Sequence, residues 1–144
     1  MSIAAIPRPA HFLGWAGVVP FAALTGAAIY GVALPVDAGR ALIAYAAVIL
    51  SFMGGVQWGI ALRGPAESRW LGYAASVVPA LIAWPCLFMP PPFALAGLIT
   101  GFCLLIFYDI WTVGRGWAPG WYATLRLELT LAVVTLLGAM IIFG

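Results

Sequence analysis

The sequence predicts an all-α polytopic membrane protein, folded as a compact bundle of five transmembrane helices. Three observations carry that expectation. Of 144 residues, 65% are hydrophobic and 7% charged, against about 25% charged in soluble domains; mean hydropathy is +1.12. Five apolar stretches each reach the roughly 20 residues needed to cross a hydrocarbon core. Proline and glycine punctuate every junction between them, as tight links between helices require.

In chain order, the first span is predicted at about Phe12–Leu34 and ends at Pro35-Val36-Asp37-Ala38-Gly39. The second, Ala41–Leu62, is followed by the polar link Arg63–Arg69. The third, Trp70–Met89, stops at Pro90-Pro91-Pro92. The fourth, Phe93–Val113, and the fifth, Tyr122–Phe143, are joined by Gly114–Gly120. Links this short make sequential helices antiparallel neighbours in a single domain, residues 1–144. Pro20, Pro79 and Pro85 fall inside spans one and three and predict bent helices. Unwound turns that offer carbonyls to a ligand are the alternative.

Arginine placement sets the predicted orientation. Arg8, Arg63, Arg69 and Arg115 share one side of a five-span bundle, with Arg126 just inside the fifth span from it, and Arg40 lies on the other side. The positive-inside rule then puts the N-terminus in the cytoplasm and the C-terminus outside. Trp15, Trp58, Trp70, Trp111, Trp117, Trp121 and Tyr122 cluster near that cytoplasmic interface, where amphipathic rings anchor. Met1–Ala10 carries two prolines and no short signal core, which points to a bacterial-type inner membrane. A net charge of +2 without a basic patch argues against nucleic acid. Cys86 and Cys103 are expected about 6 Å and 15 Å below one surface, a depth mismatch that argues against a disulfide.

The second span carries a row of small residues at steps of four: Ala47, Ser51, Gly55 and Gly59. Such a row predicts a flat seam for close helix contact, the main way helices associate once lipid removes the hydrophobic drive. Shorter rows occur at Gly72–Ser76–Ala80 and Gly97–Gly101. Gln57, a full amide at membrane depth, sits on the opposite side of the second span.

Asp109, Arg126 and Glu128 are the costly residues, since a charge at a helix centre costs about 2.5–3.5 kcal/mol on insertion scales. Asp109 and Arg126 are both expected about 8 Å below the cytoplasmic boundary on adjacent helices, which predicts an interhelical ion pair. Glu128 lies about 200° around the helix from Arg126 and needs another partner or a proton. Gln57 is at similar depth, with Trp58 beside it and His11 at the mouth of span one. His11, Gln57, Trp58, Asp109, Arg126 and Glu128 form the predicted polar layer. It is read first as a device that fixes helix register, and alternatively as a cavity for water, a lipid or quinone headgroup, or a proton path. No catalytic residue, cofactor or metal site is predicted: His11 is the sole histidine, and no ligand cluster or nucleophile set accompanies it.

Gly54-Gly55-Val56-Gln57-Trp58-Gly59, Ser76-Val77-Val78-Pro79, Ala83-Trp84 and Gly120-Trp121-Tyr122-Ala123-Thr124-Leu125-Arg126-Leu127 resemble an uncharacterised membrane family, domain of unknown function 3429. The likeness runs over essentially the whole chain. It implies a five-span layout and attaches no activity. It also implies His at the position of Gln57; glutamine keeps the hydrogen bonding but cannot titrate or serve as a good metal ligand. The expected function is helix association, as an accessory or assembly component of a membrane complex or as a homo-oligomer, rather than enzymatic. Binding or transport of a small lipophilic or ionisable ligand through the polar layer is the alternative. The expected partners are the bilayer and other membrane proteins or further copies of the chain.

Overall fold

A computed structural model describes residues 5–144 as five long α-helices. Helix α1 is Arg8–Ile29, α2 Ala38–Arg63, α3 Arg69–Cys86, α4 Pro91–Gly114 and α5 Gly120–Phe143. A single 3₁₀ turn, Ala66–Ser68, joins α2 to α3. Four of the helices, α1, α2, α4 and α5, are long and apolar enough to cross a membrane. The predicted third span is α3, which does not reach that standard. It has 18 residues, begins at Arg69 and contains Pro79 and Pro85, so it is shorter and more polar than its neighbours.

Span boundaries shift for local reasons. Helix α1 starts four residues before the predicted span because proline occupies its first turn, where no intrahelical donor is needed. It ends five residues early, where Gly31 adopts φ +64°, a left-handed turn that glycine enters without steric cost. Val32–Leu34 is apolar but not helical. Asp37 opens α2 by accepting from the Arg40 amide at 2.6 Å, a side-chain cap for an otherwise orphaned donor. Prolines likewise open α4.

The helices form a closed ring in chain order, with α1 against both α2 and α5, and a further contact from α2 to α4 across the middle. The core is the apolar stripe on each helix: Phe21 from α1, Leu42 and Leu50 from α2, Leu98 and Phe102 from α4, and Leu137 from α5 are all buried. The closest pair is α2 with α3. A Cβ on Gly54 would lie 2.5 Å from the Ser76 carbonyl oxygen, and one on Gly72 would lie 2.6 Å from the Ala61 Cβ. Without side chains there, the two backbones approach as membrane helices with small residues do.

The predicted seam on α2 is not one face. Ala47 is buried and Ser51 half-buried, its hydroxyl donating to the Ala47 carbonyl at 2.8 Å; Gly55 and Gly59 are exposed. At 3.6 residues per turn, each step of four advances about 40°, so the row winds out of the bundle. Alternating steps of three and four hold one side, and Ala47, Leu50, Gly54, Gln57 and Ala61 do make the buried face.

Candidate functional site

The polar residues converge near one end of the bundle, around Asp109 of α4. Its side chain is fully buried, and such a carboxylate is costly unless paired and hydrogen-bonded. Helix α5 supplies two of the donors from adjacent turns. Arg126 Nε donates to Asp109 Oδ2 at 2.7 Å as an ion pair, and the Tyr122 hydroxyl donates to Oδ1 at 3.2 Å. Residues four apart face the same way on a helix, which is why Tyr122 and Arg126 reach one acceptor. Helix α2 supplies the third donor, Gln57 Nε2, also to Oδ1. One carboxylate therefore ties three helices together at fixed register. The Thr112 hydroxyl donates to the Asp109 backbone carbonyl at 2.8 Å, one turn on.

Not every polar atom in this region is satisfied. Gln57 Oε1, Arg126 Nη2 and Thr130 Oγ1 are buried and have no hydrogen-bond partner among the described residues. Arg126 and Thr130 are both only 5% exposed. They also line a cleft of about 160 Å³ between α1, α2, α4 and α5. Its other walls are apolar, with Gly17 and Phe21 from α1, Met53 from α2 and Phe102 from α4.

The structure brings together three of the six residues expected in the polar layer: Gln57, Asp109 and Arg126. Glu128 is half-buried, faces away from Arg126, and makes no hydrogen bond or ion pair among the described residues. Its position two residues from Arg126 sends it to a different helix face. His11 is exposed at the start of α1, its ring centroid 6.5 Å from that of Trp15. Trp58 is 48% exposed and packs on Tyr73 of α3, centroid to centroid 4.6 Å.

Two members of the site escaped the sequence reading. The sequence places Tyr122 in the interfacial belt, yet its hydroxyl points inward to Asp109. The signal was available in its spacing, four residues before Arg126. Thr130, four residues after Arg126, extends the same stripe. A threonine within an apolar span gives no comparable cue.

Comparison with known proteins places these residues in context. The family described as protein of unknown function DUF3429 matches residues 6–142. The chain is 37% identical to transmembrane protein 69 of Xenopus tropicalis over 146 residues, covering 94% of this chain and 54% of the relative. It is 30% identical to transmembrane protein 69 of Mus musculus over 141 residues, covering 91% and 56% respectively. The chain thus spans about half the length of these curated relatives. No solved structure matches it.

Proposed function

We propose, for a chain that belongs to the DUF3429 family of membrane proteins, a role in helix association within the bilayer. The protein acts as an accessory or assembly component that receives a transmembrane helix of another membrane protein on the outer face of α2. One observation carries this reading. Gly55 and Gly59 are exposed, and a Cβ on either would meet nothing within 4 Å. They form a shallow notch on a surface otherwise made bulky by Val48 and Leu62, 63% and 58% exposed. In lipid, close van der Waals packing at small residues is the main source of helix affinity. An open glycine notch gains from a visiting helix what lipid tails fill poorly.

In the same reading all five helices cross, α3 included. An 18-residue helix is about 27 Å long, close to the hydrocarbon thickness of about 30 Å. The N-terminus lies in the cytoplasm of a bacterial-type inner membrane, an orientation supported by the arginine distribution. Photo-crosslinking in native membranes tests the role. A photoreactive side chain at Val48 or Leu62 is expected to give a discrete protein adduct, lost when Gly55→Leu is added. The same probe at Phe93, exposed on α4, gives only lipid. An adduct of twice the chain's mass would replace the foreign helix with a second copy. Lipid adducts at all three positions would end the proposal.

A further inference from the structure

At the arginine-rich end of the bundle, a groove runs along α2 beside α5 in two parts. The outer part is an open hollow of about 410 Å³. Val56, Gly59 and Ile60 of α2 form one wall, Trp117, Trp121 and Tyr122 form the other, and Arg63 from the last turn of α2 completes it. The inner part is the cleft of about 160 Å³, which meets α2 at Met53 and α5 at Leu129 and Val133. Met53 is one turn from Val56, so the two parts follow one another along α2. Leu13 and Phe52, on the lining of the cleft, are 68% and 66% exposed, which leaves the cleft open at the surface.

Charge narrows the occupant. Arg63 is exposed and makes no ion pair among the described residues, and no carboxylate of those residues lines the hollow. Arg8, Arg69 and Arg115 lie at the same end, against a single acid in the links, Glu67. The two tryptophans set the hollow at the level of the lipid headgroups, where such rings anchor. Basic pockets between membrane helices at that level suit anionic headgroups. Length narrows it further. Half of a hydrocarbon core of about 30 Å is about 15 Å, or about ten residues of helix. Met53, ten residues before Arg63, is on the wall of the inner cleft. A headgroup at Arg63 therefore brings the end of its acyl chain to that cleft.

We infer that this groove binds one anionic phospholipid, its phosphate at Arg63 and one acyl chain laid along α2 past Val56 and Ile60 to the cleft at Met53. The contacts of the chain are apolar throughout. Tyr122 offers its ring, because its hydroxyl is turned inward to Asp109, and the buried Asp109–Arg126 pair takes no part. Gly59 keeps the hollow open: a Cβ there would meet nothing within 4 Å, so a larger side chain fills the groove rather than the packed core. The site is separate from the surface read as receiving a visiting helix. Val48, Gly55 and Leu62 lie roughly 90° around α2 from Val56, Ile60 and Arg63, with Gly59 on the border.

The test titrates the full chain in mild detergent with dioleoyl phosphatidylglycerol or dioleoyl phosphatidylcholine and counts retained lipid by native mass spectrometry. Phosphatidylglycerol is expected to saturate at one retained molecule, about fivefold tighter than phosphatidylcholine, the factor that one arginine beside an anionic lipid supplies. Excess inorganic phosphate should not displace it. Arg63→Gln should erase the preference, and the fold stands because Arg63 has no ion pair to lose. Arg115→Gln makes the same charge change at the same end, but Arg115 lies over the Trp111 ring at 5.1 Å and outside the groove, so the preference should persist. Gly59→Leu should abolish saturable binding. Equal affinity for the two lipids, displacement by phosphate, a preference that survives Arg63→Gln or is lost equally in Arg115→Gln, or binding untouched by Gly59→Leu would each overturn the assignment. The assay holds no other protein, so its outcome stands apart from that of the visiting helix.

Discussion

The two sides of α2 use the same residue type to opposite ends. On the inner side, Gly54 is in contact with α3: a Cβ there would strike the Ser76 carbonyl oxygen at 2.5 Å and Pro79 at 3.2 Å. On the outer side, Gly55 is the next residue in the chain, and a Cβ there would meet nothing within 4 Å. The rotation of about 100° between neighbours on a helix separates a glycine required by packing from one that packing does not require. The difference teaches that a small residue in a membrane helix is evidence of close contact only after its direction is known. It also isolates Gly55 and Gly59 as positions whose smallness the fold of one chain does not explain.

The inner side can be broken hardest at its polar end. Asp109→Ala leaves Arg126 buried without its counter-ion and removes the acceptor for Gln57 and Tyr122. Breaking a buried pair by removing one partner costs about 3–5 kcal/mol. The expected result is loss of folded protein in detergent, seen as aggregation on size-exclusion chromatography. Adding Arg126→Met to Asp109→Leu should recover much of that loss, since an apolar pair of similar volume replaces both charges. If the double variant is no better folded than Asp109→Ala, the cluster does more than join helices.

The ion pair was legible in the sequence because two charges fell at matching depth on helices forced to be neighbours by a short link. Gln57 was legible for the same reason of depth. What could not be read was direction. A step of four reads as one face in the written sequence, yet it drifts by about 40° each time. That is why the row from Ala47 to Gly59 begins in the core and ends in the open. Gly54, skipped by the row, turned out to be the contact residue. The helix ends were misplaced for a different reason: hydropathy alone ignores caps. Asp37 and the opening prolines start helices within polar or turn-like sequence, and Gly31 stops one within apolar sequence. The place and walls of the cleft were not legible, because a cavity arises where stripes from four helices fail to fill the space between them.

A smaller effect sharpens the inner side. Gly54→Ala gains about 1 kcal/mol of helix propensity but places a methyl group against backbone rather than against a flexible side chain. Overpacking costs typically about 1–3 kcal/mol, and a carbonyl oxygen held in the α3 ladder has little room to retreat. A net loss of about 1–2 kcal/mol is expected, measured as a lower midpoint in denaturant titration of detergent-solubilised protein. Gly72→Ala, which meets the Ala61 methyl at 2.6 Å from the other side of the same contact, should behave alike. The two effects should be less than additive when combined, because one separation of α2 from α3 relieves both clashes.

The smallest effect is the most informative, because its sign is opposite. Gly55→Ala sits in mid-helix with open space around the new methyl group, so propensity alone acts, and the isolated chain should gain about 0.5–1 kcal/mol. The same change fills the notch, so crosslinks from Val48 and Leu62 to a visiting helix should weaken in membranes while stability in detergent rises. A purely structural glycine cannot produce that combination. If Gly55→Ala instead lowers the stability of the isolated chain, the outer face of α2 is in contact within the bundle, and the distinction between its two sides fails. If stability rises and the crosslinks persist unchanged, the notch is open but unoccupied, and association must be carried by another face.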